Sequence, residues 1–127
     1  MKKDNKAKIL VVDDEEAIIS LSRKQLISLG YDVTAATGGR EALKLFAASP
    51  HGFDLVITDQ MMPHMTGTEL SRKLIAIRPD LPIILLTGFS HALMPDQARK
   101  AGIREFAMKP LLTNELAQVI RKVLKEK

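Results

Sequence analysis

A chain of 127 residues suffices for one domain that buries roughly two-thirds of its unfolded surface in a single core. It has no cysteine, which excludes disulfides, zinc-thiolate centres and cysteine nucleophiles and agrees with a reducing, cytoplasmic setting. The formal charge is +4, but the excess lies at the ends, in Lys2, Lys3, Lys6 and Lys8 and in Arg121, Lys122, Lys125 and Lys127; with one Tyr and four Phe there is no stacking platform, so no nucleic-acid contact is expected.

Residues 1–7 read as a basic tail, and no apolar stretch approaches the length of a membrane span, so no membrane contact is expected either. Ile9 to Val12 is too short for a signal-peptide core, ends in acids and reads as a first strand. Glu15 to Leu29 follows as a helix with apolar residues at Ile18, Leu21, Leu26 and Leu29 and a left-handed stop at Gly30. Tyr31 to Ala36 is a second strand, and Gly38-Gly39 opens a second helix carrying Ala42, Leu43 and Phe46. After a third strand, Leu55 to Thr58, the stretch Thr66-Gly-Thr-Glu69 reads as a capping box ahead of Leu70, Leu74 and Ile77, with Pro79 past the helix end. Ile83 to Thr87 is a fourth strand. Pro95 suits the first turn of a short helix, Pro95 to Ala101, with Gly102 as its cap. Glu105 to Met108 is a fifth strand, and from Leu112 a closing helix presents Leu116, Val119, Ile120 and Val123 on one face, with Thr113 as its N-cap.

Strands alternating with helices predict a (βα)5 α/β fold, a doubly wound parallel sheet with helices on both faces. Three of the five strands are nearly uniformly apolar, as strands covered on both sides should be. There are no repeats, linkers or low-complexity tracts, so residues 8–125 are expected to form a single domain with no effector domain. Ligands of such sheets bind at the carboxyl ends of the strands.

Those ends carry Asp13 and Asp14 after the first strand, Asp59 after the third, Thr87 at the end of the fourth and Lys109-Pro110 after the fifth. Each alone has a bland reading: Asp13 as the cap of the first helix with Glu16 completing a capping box, Asp59 as the start of the turn to Pro63, Thr87 as local hydrogen bonding, Lys109 as a solvated cation. Their convergence on one rim is the signal. At an effective dielectric of about 20, two like charges 4 Å apart repel by about 4 kcal/mol, so gathered carboxylates call for a cation. Mg2+ takes oxygen ligands, is held by a few carboxylates plus waters, and leaves positions for phosphoryl oxygens; Mn2+ is an expected substitute. Asp59, alone on its strand end, is the candidate nucleophile for an aspartyl-phosphate, with Lys109 and the metal neutralising charge.

At these residues the chain resembles a response-regulator receiver domain of two-component signalling, from about Lys8 to Val123. The resemblance implies a flavodoxin-like five-stranded sheet of order 2-1-3-4-5. It implies Asp59 as phosphoacceptor from the phosphohistidine of a sensor histidine kinase or histidine phosphotransfer protein, Asp14 as a direct Mg2+ ligand, Asp13 as an outer one through water, and the Met61 backbone carbonyl as a further ligand. Lys109 would pair with the phosphoryl group, the peptide before Pro110 would be cis and shape the loop, Thr87 would move to bond a phosphoryl oxygen, and Phe106 would turn inward as the switch. The face of the fourth helical segment, the fifth strand and the closing helix would report the change. Such a domain promotes its own phosphorylation and dephosphorylation without being an enzyme in the usual sense.

Two features depart from the family pattern. The proline shortens the fourth helical segment, and the expected state is a monomer or a weak phosphorylation-dependent dimer. Met61 and Phe89, each two positions past a site residue, are apolar and are expected to screen attacking water and lengthen the phosphoryl lifetime. Ile18 and Ile19, near the acidic rim, are the candidate donor-docking surface. His51, His64 and His91 lack metal-ligand spacing. Gly38-Gly39 is no phosphate-binding fingerprint.

Three rivals are weaker. A phosphohydrolase of the haloacid dehalogenase type would place a second Asp where Met61 stands. A phosphorylation-independent interaction module would have lost acids or the lysine. A DNA-binding regulator would need an effector beyond these residues. The spellings MPHMTGTEL and LLTGFSH resemble receivers attached to hybrid sensor kinases, and a free-standing relay fits as well.

Overall fold

A computed structural model describes residues 6–88, 102–109 and 111–125. The expected fourth helical segment, Phe89 and Pro110 lie outside the described residues, as does the side chain of Phe106. The elements are β1 (Lys8–Val12), α1 (Glu16–Ser28), β2 (Asp32–Ala36), α2 (Gly39–Ala48), β3 (Leu55–Asp59), α3 (Gly67–Ile77), β4 (Ile83–Thr87), β5 (Glu105–Met108) and α4 (Thr113–Lys125). The five strands form one parallel sheet in the order β2-β1-β3-β4-β5, the expected flavodoxin-like order, with the reversal between β1 and β3.

Alternation along each strand divides the core in two. Leu10, Val12, Val56, Ile83 and Leu85 pack with Ala42 and Phe46 of α2 and Leu70 and Leu74 of α3. Ile9, Val11, Leu55, Ile57 and Ile84 pack on the other face with Ile19 and Leu26 of α1 and Leu116, Ile120 and Val123 of α4. Burial on both faces explains why β1, β3 and β4 are apolar almost throughout.

Helix ends follow the sequence at two places. Leu26, Ile27, Gly30 and Tyr31 close α1: Gly30 takes φ +95°, its N–H donates to Ile27 (3.0 Å), and the Tyr31 N–H donates to Leu26 (3.1 Å), the double bond of a Schellman motif. Thr66 and Glu69 cap α3 reciprocally as expected.

Elsewhere the structure corrects the expectation. The bland alternative for Asp13, a cap of α1, does not hold: its carboxylate accepts from the Glu15 N–H two residues on (3.0 Å), and Glu15 at the N-cap has no side-chain cap bond. The inward stripe of α1 is Ile19 and Leu26 rather than Ile18, Leu21, Leu26 and Leu29, and Leu21 is 52% exposed. Thr113 is the first helical residue of α4, one position inside its expected place as N-cap, and Glu115 reaches back to the Leu112 N–H (3.0 Å).

Candidate functional site

The sheet register brings the strand ends level. Val12 pairs with Thr58, Asp59 with Leu86 and Thr87 with Met108, so the residues that follow emerge along one rim. Backbone bonds continue past the strands and fix them there: Asp13 N–H to Ala36 (3.2 Å), Gln60 N–H to Leu86 (2.9 Å) and Lys109 N–H to Thr87 (2.8 Å).

Asp13, Asp14 and Asp59 come together with one carboxylate oxygen from each within 4.8 Å of the others. Asp13 and Asp59 are buried and Asp14 is exposed. The Lys109 ammonium bridges the buried pair, 3.1 Å from Asp13 and 3.0 Å from Asp59. Thr87 is fully buried at the end of β4. Asp13, Asp14, Asp59 and Lys109 are therefore gathered on this rim, with Thr87 at the adjoining strand end. Met61 begins the loop to α3 with its side chain 63% exposed. His64 in the same loop takes φ +71° and is exposed.

Burial pushes the Asp59 carboxyl above the ordinary carboxylate range, and the charges of Asp13 and Asp14 act in the same direction against the bond and charge of Lys109. Burial also works against the Lys109 ammonium, but its bonds to Asp59 and Asp13, with their charges, outweigh this and raise its pKa. Three carboxylates against one ammonium leave the rim two charges negative, and its donors are all oxygen. A hard divalent cation such as Mg2+ fits both the charge and the donor set.

Gln60 was not singled out by its sequence, yet it welds this rim to α3. The Gly67 N–H donates to its backbone carbonyl (3.0 Å), and the Thr68 N–H and hydroxyl both donate to its side-chain oxygen (2.9 Å each). With the Glu69 N–H on the Thr66 hydroxyl (3.1 Å), the first three N–H groups of α3 are satisfied. The available signal was a polar residue directly after an apolar strand.

The docking expectation divides. Ile19 is 8% exposed and belongs to the core, so it offers no surface; Ile18 is half-buried and lines a crevice between α1 and α4 with Val11, Gln25, Leu86, Lys109 and Leu111. Adjacent helical positions lie about 100° apart, and the sheet takes one of the two.

A doubly wound α/β domain whose switch point gathers acids and a bridging lysine is a small class of protein, and residues 9–121 match the response regulator receiver domain. The chain belongs to that family. It is 36% identical over 92% of its length to a probable transcriptional regulator ycf27 of Cyanidium caldarium, of which it covers 46%. A response regulator receiver domain protein from Clostridium thermocellum superposes with a TM-score of 0.89 at 32% identity, covering 94% of this chain and 95% of that one. The response regulator TrrA of Thermotoga maritima, in complex with Mg2+ and BeF, gives 0.84 at 35% identity, covering 92% and 98%. The chain spans about half or less of the length of the curated relatives it matches.

Proposed function

We propose that the chain accepts a phosphoryl group on Asp59 from the phosphohistidine of a sensor histidine kinase or histidine phosphotransfer protein. The observation that carries this reading is Lys109 set between Asp13 and Asp59. A carboxylate oxygen of Asp59 attacks phosphorus, the phosphorus–nitrogen bond to the imidazole breaks, and the imidazole takes up a proton. The ammonium of Lys109 faces the incoming oxygens and orients Asp59 beforehand. The Thr87 hydroxyl is the second donor to the phosphoryl group. Asp14, Asp59 and the Met61 carbonyl would hold Mg2+ directly, with Asp13 behind a water. Bound there, the ion neutralises charge on the transferring group.

Phe106 is the residue whose inward turn reports phosphorylation on the face of β5 and α4, and Pro110 shapes the loop that carries Lys109. Met61 and Phe89, both apolar, screen Asp59 from water and slow hydrolysis. The setting is cytoplasmic, in a free relay or a hybrid kinase.

The test is a two-stage NMR titration. Mg2+ alone should shift the amides of Asp13, Asp14, Asp59 and Met61, and adding beryllofluoride, a phosphoryl mimic, should then shift Thr87, Phe106 and Lys109. No response to beryllofluoride at saturating Mg2+ would contradict the reading.

A further inference from the structure

The loop that presents Lys109 is held from both sides. On the strand side its backbone N–H donates to Thr87 (2.8 Å) and its ammonium to Asp13 and Asp59. On the far side Gln25 of α1 reaches across: its side-chain amide N–H donates to the carbonyl of Leu111 (3.1 Å) and to the Thr113 hydroxyl (3.3 Å), 86 and 88 residues away in sequence. Leu111 stands two residues past Lys109. Behind the loop lies the apolar crevice of about 90 Å3, lined by Lys109, Leu111, Gln25, Ile18 and Leu86.

We infer that Gln25 is a positioning residue for Lys109: by clasping Leu111 and Thr113 it sets how far the lysine reaches over Asp59. An amide donor is needed because the Leu111 carbonyl accepts from it. The crevice makes the clasp consequential. A loop released from α1 has space to sink between α1 and α4, drawing the ammonium back from the rim. A purely structural tie would cost stability alone, whereas this one acts on the site through Lys109 and leaves Asp14 untouched. The inference rests on the phosphoacceptor reading above.

The experiment compares wild type with Gln25→Met, which keeps length and loses the donor, and Gln25→Glu, which keeps shape and sets a carboxylate against the Leu111 carbonyl. Beryllofluoride affinity at saturating Mg2+, Mg2+ affinity alone and thermal midpoint are measured for each. Beryllofluoride binding weakened roughly fivefold, the scale of one neutral hydrogen bond, with Mg2+ affinity unchanged or raised as the competing ammonium withdraws, is the expected result for whichever variant folds. Unchanged beryllofluoride affinity, or Mg2+ and beryllofluoride affinities falling together, overturns the positioning role while the phosphoacceptor reading stands. A wild-type chain that binds no beryllofluoride overturns that reading and the inference with it.

Discussion

Gly67 presses so closely on the carbonyl of Asp59 that a methyl group on its Cα would overlap the oxygen. The same carbon would lie 2.6 Å from Leu85 Cδ1 and 3.0 Å from Gln60 Cα. The first turn of α3 is thus seated directly on the end of β3, and the backbone of Asp59 moves only if α3 moves.

Gly67→Ala sets two effects against each other. Alanine is the better helix former by about 1 kcal/mol, while forcing a methyl into packed atoms costs about 1 to 3 kcal/mol. The backbone oxygen cannot swing aside as a side chain would, so the clash should win and urea unfolding should show a net loss of up to about 2 kcal/mol. A variant as stable as wild type would mean that this junction yields easily.

Lys109→Ala removes the ammonium that bridges Asp13 and Asp59. The metal-free protein should lose about 1 to 3 kcal/mol, because two buried carboxylates lose their charged donor. Mg2+ should then stabilise the variant more than wild type, since the competing cation is gone. Unfolding with and without Mg2+ checks both, and equal stabilisation of the two proteins would speak against a shared site.

The raised pKa of Asp59 fixes the sign of a pH effect. A carboxyl whose folded value lies above its unfolded value binds its proton more tightly when folded, so its ionisation costs stability as pH rises through that window. Metal-free Asp59→Asn should therefore melt above wild type at pH 7. The gap should close on acidification through the raised Asp59 value, with the benefit to wild type complete below the ordinary 3.8. A gap of constant size across pH would show that Asp59 ionisation is not its source.

Ile18 and Ile19 separate docking from packing. Ile18→Glu should weaken phosphoryl transfer from a cognate phosphohistidine donor while leaving uptake from acetyl phosphate intact. Ile19→Glu buries a carboxylate in the core and should destabilise the whole domain by several kcal/mol, on the order of 3. Equal loss of both uptake routes in Ile18→Glu would refute the docking role.

The legible parts of this molecule are those where one local pattern reports one physical constraint. Apolar runs ending abruptly in Asp13, Asp59 and Lys109 marked both the buried strands and the rim. Thr66 and Glu69 announced a helix start because the capping box lies within four residues. Gln25 was illegible because its partners are 86 and 88 residues away. Gln60 was missed because the sequence does not show that the start of α3 folds back onto the strand it left. On α1, Ile18 and Ile19 are equally apolar, and only the seat of the helix on the sheet decides which one is core.

The central claim is that Asp59 takes up a phosphoryl group with the help of a metal held by its acidic neighbours. Intact mass after incubation with acetyl phosphate, with and without Mg2+, on wild type and Asp59→Asn tests it most directly. The account predicts a Mg2+-dependent gain of one phosphoryl group in wild type and none in the variant. A gain that survives Asp59→Asn, or wild type unmodified under every condition, would contradict it.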